Sequence, residues 1–143
     1  MSETNQDNQM ITVETTVNAS LNTVWDSFTN PTHITQWCFA SDDWHAPYAE
    51  NDIQTGGKFK TTMAAKDGSF SFDFEGEYSL VKSQEEINYF LEDGRTVKIN
   101  FISEENSTKV IETFDPENEN PADMQKAGWQ AILDNFKKYT ESI

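Results

Sequence analysis

Glu112 is the residue with most chemistry to offer. It lies in "STKVIETFD", between Val110 and Phe114. A strand turns alternate side chains to the same face, so a core that takes Val110 and Phe114 takes Glu112 as well. A carboxylate there is costly unless it is paired. Arg95 shares parity with Val97, Ile99 and Phe101 in "RTVKINFIS" and is the candidate partner. If unpaired, Glu112 is a polar anchor or an acid/base group with a shifted pKa. A bulge that returns it to solvent is the plain alternative. Tyr78 and Tyr89 carry hydroxyls that need partners once buried and would orient a bound molecule. Cys38 and His45 could form a thiol–imidazole pair or part of a metal site. His33 is the other histidine and there is no second cysteine, so the ligand set falls short. Cys38 reads better as a small buried hydrophobe. The sequence has no glycine-rich phosphate loop and no nucleophile elbow. The acidic run from Asp115 to Asn120 lacks the spacing of a calcium loop. No metal and no cofactor are expected.

The elements that must position these groups show in the periodicity. In "SFSFDFEGEY", Phe70, Phe72, Phe74 and Tyr78 fall on one parity, with Ser71, Asp73, Glu75 and Glu77 on the other. That is a strand with one dry and one wet face. Its rings either fill a solid core with Tyr89, Phe101 and Phe114 or line a pocket. A mixed answer is expected. Gly76, on the dry parity, permits a bend or a close approach. Alternation also marks strands in "MITVETTVNA", "DWHAPYAE", "GGKFKTTMAA", "EINYFLE", "RTVKINFIS" and "STKVIETFD". Pro47 confines its strand to an edge or a bulge. Asp67-Gly68 and Asp93-Gly94 mark tight hairpin turns. Ser20 caps a short helix carrying Leu21, Val24, Trp25 and Phe28; Asn30-Pro31 ends it and starts a second with Ile34, Trp37 and Cys38.

Asn120 and Pro121 open a last helix of roughly 20 residues, about 30 Å long. Its apolar stripe is Met124, Gly128, Ala131, Ile132, Phe136 and Tyr139, flanked by Trp129 and Leu133. Gly128 costs about 1 kcal/mol against Ala in mid-helix, which points to close packing or to room for a ligand. The order is β-α-α-β-β-β-β-β-β-α, an α+β arrangement. Hairpins make the sheet antiparallel, and one helix is left to cover its inner face. A curved sheet around one helix leaves space between them.

Composition narrows the function. The chain has 143 residues, enough for one domain with a real core. Residues 1–9 read as a disordered polar tail and 10–143 as a single domain. With 10 Phe, 4 Trp and 4 Tyr, the core is built from rings. The net charge of -15 argues against nucleic acid and anionic membranes as partners. No apolar run reaches the roughly 18 residues of a membrane span. The polar N-terminus lacks a signal segment, so a cytoplasmic location is expected.

The element order, the "P…I…W" of the second helix, "NDIQTGGKF", "DGSFSFDFEGEY", "VIETFD" and "GWQAILDNFKKY" resemble the family related to the C-terminal domain of the activator of the heat-shock protein 90 ATPase. That family lies within the START, birch-pollen-allergen and polyketide-cyclase (SRPBCC) superfamily. The resemblance runs from about Met10 to the C-terminus. It implies a helix-grip fold: a curved antiparallel sheet around the long helix, with a cavity between them. The co-chaperone proper has a separate N-terminal domain, for which 143 residues leave no room. No catalytic motif carries over. The expected function is binding of a small hydrophobic or amphipathic molecule, rather than catalysis. The alternatives are a cyclase or hydrolase using cavity acid/base groups, and a co-chaperone-like protein-binding module. The expected ligand-binding residues are Trp37, Phe39, Trp44, Phe59, Met63, Phe72, Phe74, Tyr78, Tyr89, Phe101, Glu112, Phe114, Trp129 and Ile132.

Overall fold

The computed structural model describes residues 10–143; the tail read at residues 1–9 lies outside them. Strand β1 (Ile11–Val17) is followed by helices α1 (Leu21–Thr29) and α2 (Pro31–Trp37). Then come β2 (Trp44–Asn51), β3 (Lys58–Ala65), β4 (Ser71–Lys82), β5 (Glu86–Leu91), β6 (Thr96–Ser103) and β7 (Thr108–Phe114). Helix α3 (Ala122–Ser142) closes the chain. The seven strands form one antiparallel sheet in the order β1-β7-β6-β5-β4-β3-β2, curled into a half-barrel around α3. The helix-grip expectation holds.

Local chemistry accounts for the elements. Ser20 accepts a hydrogen bond from the Thr23 amide at the start of α1. Asn30 ends α1, and its Oδ1 accepts from the Thr32 amide to start α2, with Pro31 in the first turn. Pro47 falls on edge strand β2 and inside a register shift between His45 and Tyr48, where a missing amide harms no ladder. The two hairpin turns are looser than two-residue turns. Ala65 bonds Phe70 across Asp67-Gly68, and Leu91 bonds Arg95 across Asp93-Gly94. Gly68 and Gly94 take φ of +81° and +92°.

Helix α3 differs from expectation at its start and in its stripe. Pro121, not Asn120, occupies the cap, and no side chain caps the helix. Asn120 Nδ2 instead donates to Glu117. Met124 is 60% exposed, while Gln125, Leu133, Phe136 and Thr140 are buried. Gln125 belongs inside because it satisfies backbone. Its Nε2 donates to the carbonyls of Glu117 and Asn120, and its Oε1 accepts from the Glu117 amide.

Three side chains of α3 bond the free edge of β1. Gln130 Nε2 donates to Glu14 O at 3.1 Å, Lys137 Nζ donates to Thr16 O at 2.7 Å, and Glu141 Oε2 accepts from the Asn18 amide at 2.8 Å. His33 ties the three helices together, with Nδ1 2.6 Å from the Tyr139 hydroxyl and Nε2 3.3 Å from Asp26 Oδ2. The solid core lies at this side: Val13, Val17, Val24, Phe101, Val110, Leu133 and Phe136. Among the described residues, no helix is long and apolar enough to cross a membrane.

The inward glycine of β4 and the helical glycine play opposite parts. A Cβ at Gly76 would stand 2.6 Å from Phe90 O and 3.0 Å from the Phe59 ring. A Cβ at Gly128 would meet nothing within 4 Å, so neither tight packing nor contact with a wall explains that glycine. Gly76→Ala should therefore destabilise by about 1–3 kcal/mol through overpacking. Gly128→Ala should stabilise by about 1 kcal/mol through helix propensity. Urea denaturation of both variants checks the pair, and shifts of the same sign would refute it.

Candidate functional site

Between the sheet and α3 lies a cavity of about 370 Å³. It exists because α3 is held against β1, leaving the inner faces of β3, β4 and β5 without helical cover. Phe59 and Met63 of β3, Phe72, Phe74 and Tyr78 of β4, and Ile87 and Tyr89 of β5 form the floor, continued by Ile99 of β6. Trp129 and Ile132 of α3 form the opposite wall. Phe28 and Thr29 of α1 with Ile34, Trp37 and Cys38 at α2 close one end. Arg95, Glu117 and Gln125 also line it and give it a polar rim. Phe72, 42% exposed, is the outermost ring.

The walls are set by ring packing. Phe59 lies over Gly76, with its centroid 4.7 Å from Tyr89, 5.2 Å from Tyr78 and 5.9 Å from Phe74. Trp129 stacks on Phe114 with centroids 3.9 Å apart and planes 12° from parallel. The Tyr78 hydroxyl donates to Asn51 Oδ1, and Asn51 Nδ2 donates to Thr29 O at 2.7 Å, which links β4, β2 and α1.

Alternation does turn Glu112 inward; it is 7% exposed and lines the cavity. The expected pair with Arg95 does not form. Arg95 Nε donates instead to Asp93 Oδ2 at 2.8 Å, within its own hairpin turn. Among the described residues, neither the Glu112 carboxyl nor the Tyr89 hydroxyl has a hydrogen-bond partner. Burial alone raises the Glu112 pKa to about 8, so the carboxyl keeps its proton at neutral pH. Burial, then the neighbouring Glu112, lifts the Cys38 thiol to about 12. Burial, then Glu112, also drives Tyr89 well above its ordinary value, and burial does the same to Tyr78. At neutral pH these four groups are uncharged.

Of the residues expected around a ligand, Trp37, Phe59, Met63, Phe72, Phe74, Tyr78, Tyr89, Glu112, Trp129 and Ile132 line this cavity. Four do not. Phe101 packs edge-on against Trp25 and Phe28 in the solid core. Phe114 sits behind Trp129, 1% exposed. Phe39 lines a separate groove beside Ala131 and Asn135 of α3. Trp44 meets Phe70 and Phe72 beyond the mouth, and Phe70, expected inside, is 59% exposed just ahead of β4. Parity names a face of the sheet, not the part of it that α3 covers. Phe28, Thr29, Ile34, Thr61, Ile87, Ile99 and Gln125 were not legible as lining. Ile99 and Ile87 follow Glu112 in one cross-strand row, a signal available only once the register is known. His45 is exposed on β2, and among the described residues no three His, Cys, Asp or Glu side chains could share a metal ion.

A half-barrel gripping one helix over an apolar cavity defines a helix-grip protein. Residues 18–141 match the family described as Activator of Hsp90 ATPase homolog 1-like protein, and the chain belongs to that family. An AHSA1-like protein from Aeromonas hydrophila, known from a solution NMR structure, is 41% identical, with 94% of this chain and 93% of that one covered and a TM-score of 0.88. A solution structure from Cytophaga hutchinsonii is 51% identical over 95% and 93% of the two chains, with a TM-score of 0.80. A crystal structure from Nitrosomonas europaea shares the fold at 15% identity, TM-score 0.80, over 95% and 96%. A comparison with curated proteins finds no match.

The unpaired carboxyl makes stability depend on pH with a definite sign. The unfolded Glu112 ionises near the ordinary 4.5, the folded one near 8. Across that window the native state holds the extra proton, so stability is lost as pH rises and levels off above about 8. Glu112→Gln should remove this slope. The variant should match wild type near the acid end and exceed it by on the order of a few kcal/mol at the alkaline end. Urea denaturation across the window is the measurement, and identical slopes in the two proteins would exclude Glu112 as the titrating group.

Proposed function

We propose that this protein binds a small hydrophobic or amphipathic molecule in the cavity between the sheet and α3. The observation that carries the reading is the cavity itself: about 370 Å³, walled by rings already locked against one another. That size and an apolar lining with a few polar groups suit small-molecule binding. Arg95, Glu117 and Gln125 at the rim would face the polar end of an amphipathic ligand. Trp37, Phe59, Phe74, Tyr78 and Trp129 are the walls of this proposed site, with Glu112 and Tyr89 as its buried polar groups.

The enzyme alternative is less well supported. Cyclase or hydrolase chemistry needs a group ready to take a proton. The enclosed groups Glu112, Cys38, Tyr78 and Tyr89 all keep theirs at neutral pH, and Glu117 at the rim is a carboxylate already engaged by Asn120. A protein-binding module on the outer face of β4 would rest on Ser71, Asp73 and Glu75, which are polar and exposed. The net charge of -15 disfavours nucleic acid as a partner.

Native mass spectrometry of protein purified from lysate, with titration of the neutral dye N-phenyl-1-naphthylamine, tests the proposal. Wild type should carry an added mass or bind the dye. Ile132→Trp, which fills the cavity from α3, should do neither while still unfolding cooperatively. Wild type that shows neither the mass nor the dye signal would end the proposal.

A further inference from the structure

We propose that Tyr89 and Glu112 form a two-donor site in the cavity wall that grips an uncharged acceptor oxygen, so that the ligand is a carbonyl compound, ketone-like and neutral, rather than a carboxylate or an amine. The inference rests on the cavity reading above and narrows it to a chemical class.

The two side chains stand out because most other polar groups of the lining are engaged, Thr61 of β3 being a third hydroxyl without a side-chain partner among the described residues. Tyr78 donates to Asn51, Thr29 to the Trp25 carbonyl, Arg95 to Asp93, and Gln125 to the loop before α3. Tyr89 and Glu112, each 7% exposed, line the cavity without a hydrogen-bond partner among the described residues. A buried donor without an acceptor is unfavourable, and a ligand that supplies the acceptor removes that penalty. The register brings the two within reach of one another. Tyr89 of β5 is opposite Val97 of β6, and Glu112 of β7 is opposite Ile99, two residues along the same strand. Their backbones flank β6, two residues out of line, and so lie about 12 Å apart. Both side chains rise from its concave face.

A carbonyl oxygen has two lone pairs and can accept one bond from each donor. Two neutral donors in an apolar wall suit an oxygen with partial negative charge. A ligand carboxylate would bring its charge beside Glu112 while Arg95 is held by Asp93. A ligand ammonium would require Glu112 to ionise among Ile99, Ile87 and the Cys38 thiol. A ketone asks for neither, and no bond is made or broken when it binds.

Calorimetry with four probes of one shape tests this: 2-acetylnaphthalene, its hydrocarbon isostere 2-isopropenylnaphthalene, 2-naphthoate and protonated 2-naphthylmethylamine. The ketone should bind wild type about tenfold more tightly than the alkene, the worth of one net hydrogen bond. Its infrared carbonyl stretch should fall in frequency on binding. Tyr89→Phe and Glu112→Leu should each cut the ketone-to-alkene ratio. Glu112→Gln, which keeps an N–H donor, should retain most of it. Equal binding of ketone and alkene, with both bound, would overturn the two-donor site and leave the cavity reading standing, as would tighter binding of either charged probe. Failure of all four to bind would take down both.

Discussion

Gln130, Lys137 and Glu141 lie along one side of α3 and bond Glu14, Thr16 and Asn18 at the free edge of β1. An edge strand presents unpaired carbonyls and amides, and here the helix supplies their partners. The helix is thereby committed to one side of the sheet. Seven strands would span about 29 Å if flat, while a helix is about 10 Å across. Anchored at β1, α3 cannot also cover β3, β4 and β5. The sheet curls toward it, α1 and α2 fill one end, and the remainder is the cavity. Its existence follows from where one helix is tied.

The aromatic residues then divide by distance from that anchor. Close to β1 and α1, Phe101, Phe28, Trp37 and Phe136 interlock edge to face, and Phe28 and Trp37 close one end of the cavity. Farther out, Phe59, Phe74, Tyr78 and Tyr89 pack sideways along the sheet and present faces to the void. Gly76 is what lets Phe59 lie down on the strand instead of standing into the cavity. Trp129, backed by Phe114, sets the opposite wall. Such a pocket is shaped before any ligand arrives, so little ordering cost is left for binding.

Charge is sorted just as sharply. The chain has a formal net charge of -15, yet the groups enclosed in the void, Glu112, Cys38 and Tyr89, hold their protons. Glu112 is neutral because the surrounding side chains are apolar and Arg95 is held elsewhere. A neutral carboxyl can donate as well as accept, which a carboxylate cannot. The same burial that destabilises its ionised form gives the cavity a donor it would otherwise lack.

The element order, the two linked caps at Ser20 and Asn30, the edge position of Pro47 and the inward turn of Glu112 were all legible in the residues, because caps, turns and alternation act over a few positions of chain. The resemblance carried the rest of the fold. What the residues could not show is where along the inner face the helix would lie. Phe101 and Phe74 have the same inward parity, yet one is core and the other is cavity wall. Gln125 and Met124 are neighbours, yet the polar one is buried, because a loop eight residues back needs its amide. Arg95 and Glu112 share a face but not a contact, because a closer carboxylate in the turn takes the guanidinium. Local periodicity settles which face a side chain is on; the position of α3, set by bonds to a strand more than a hundred residues away, decides what that face meets.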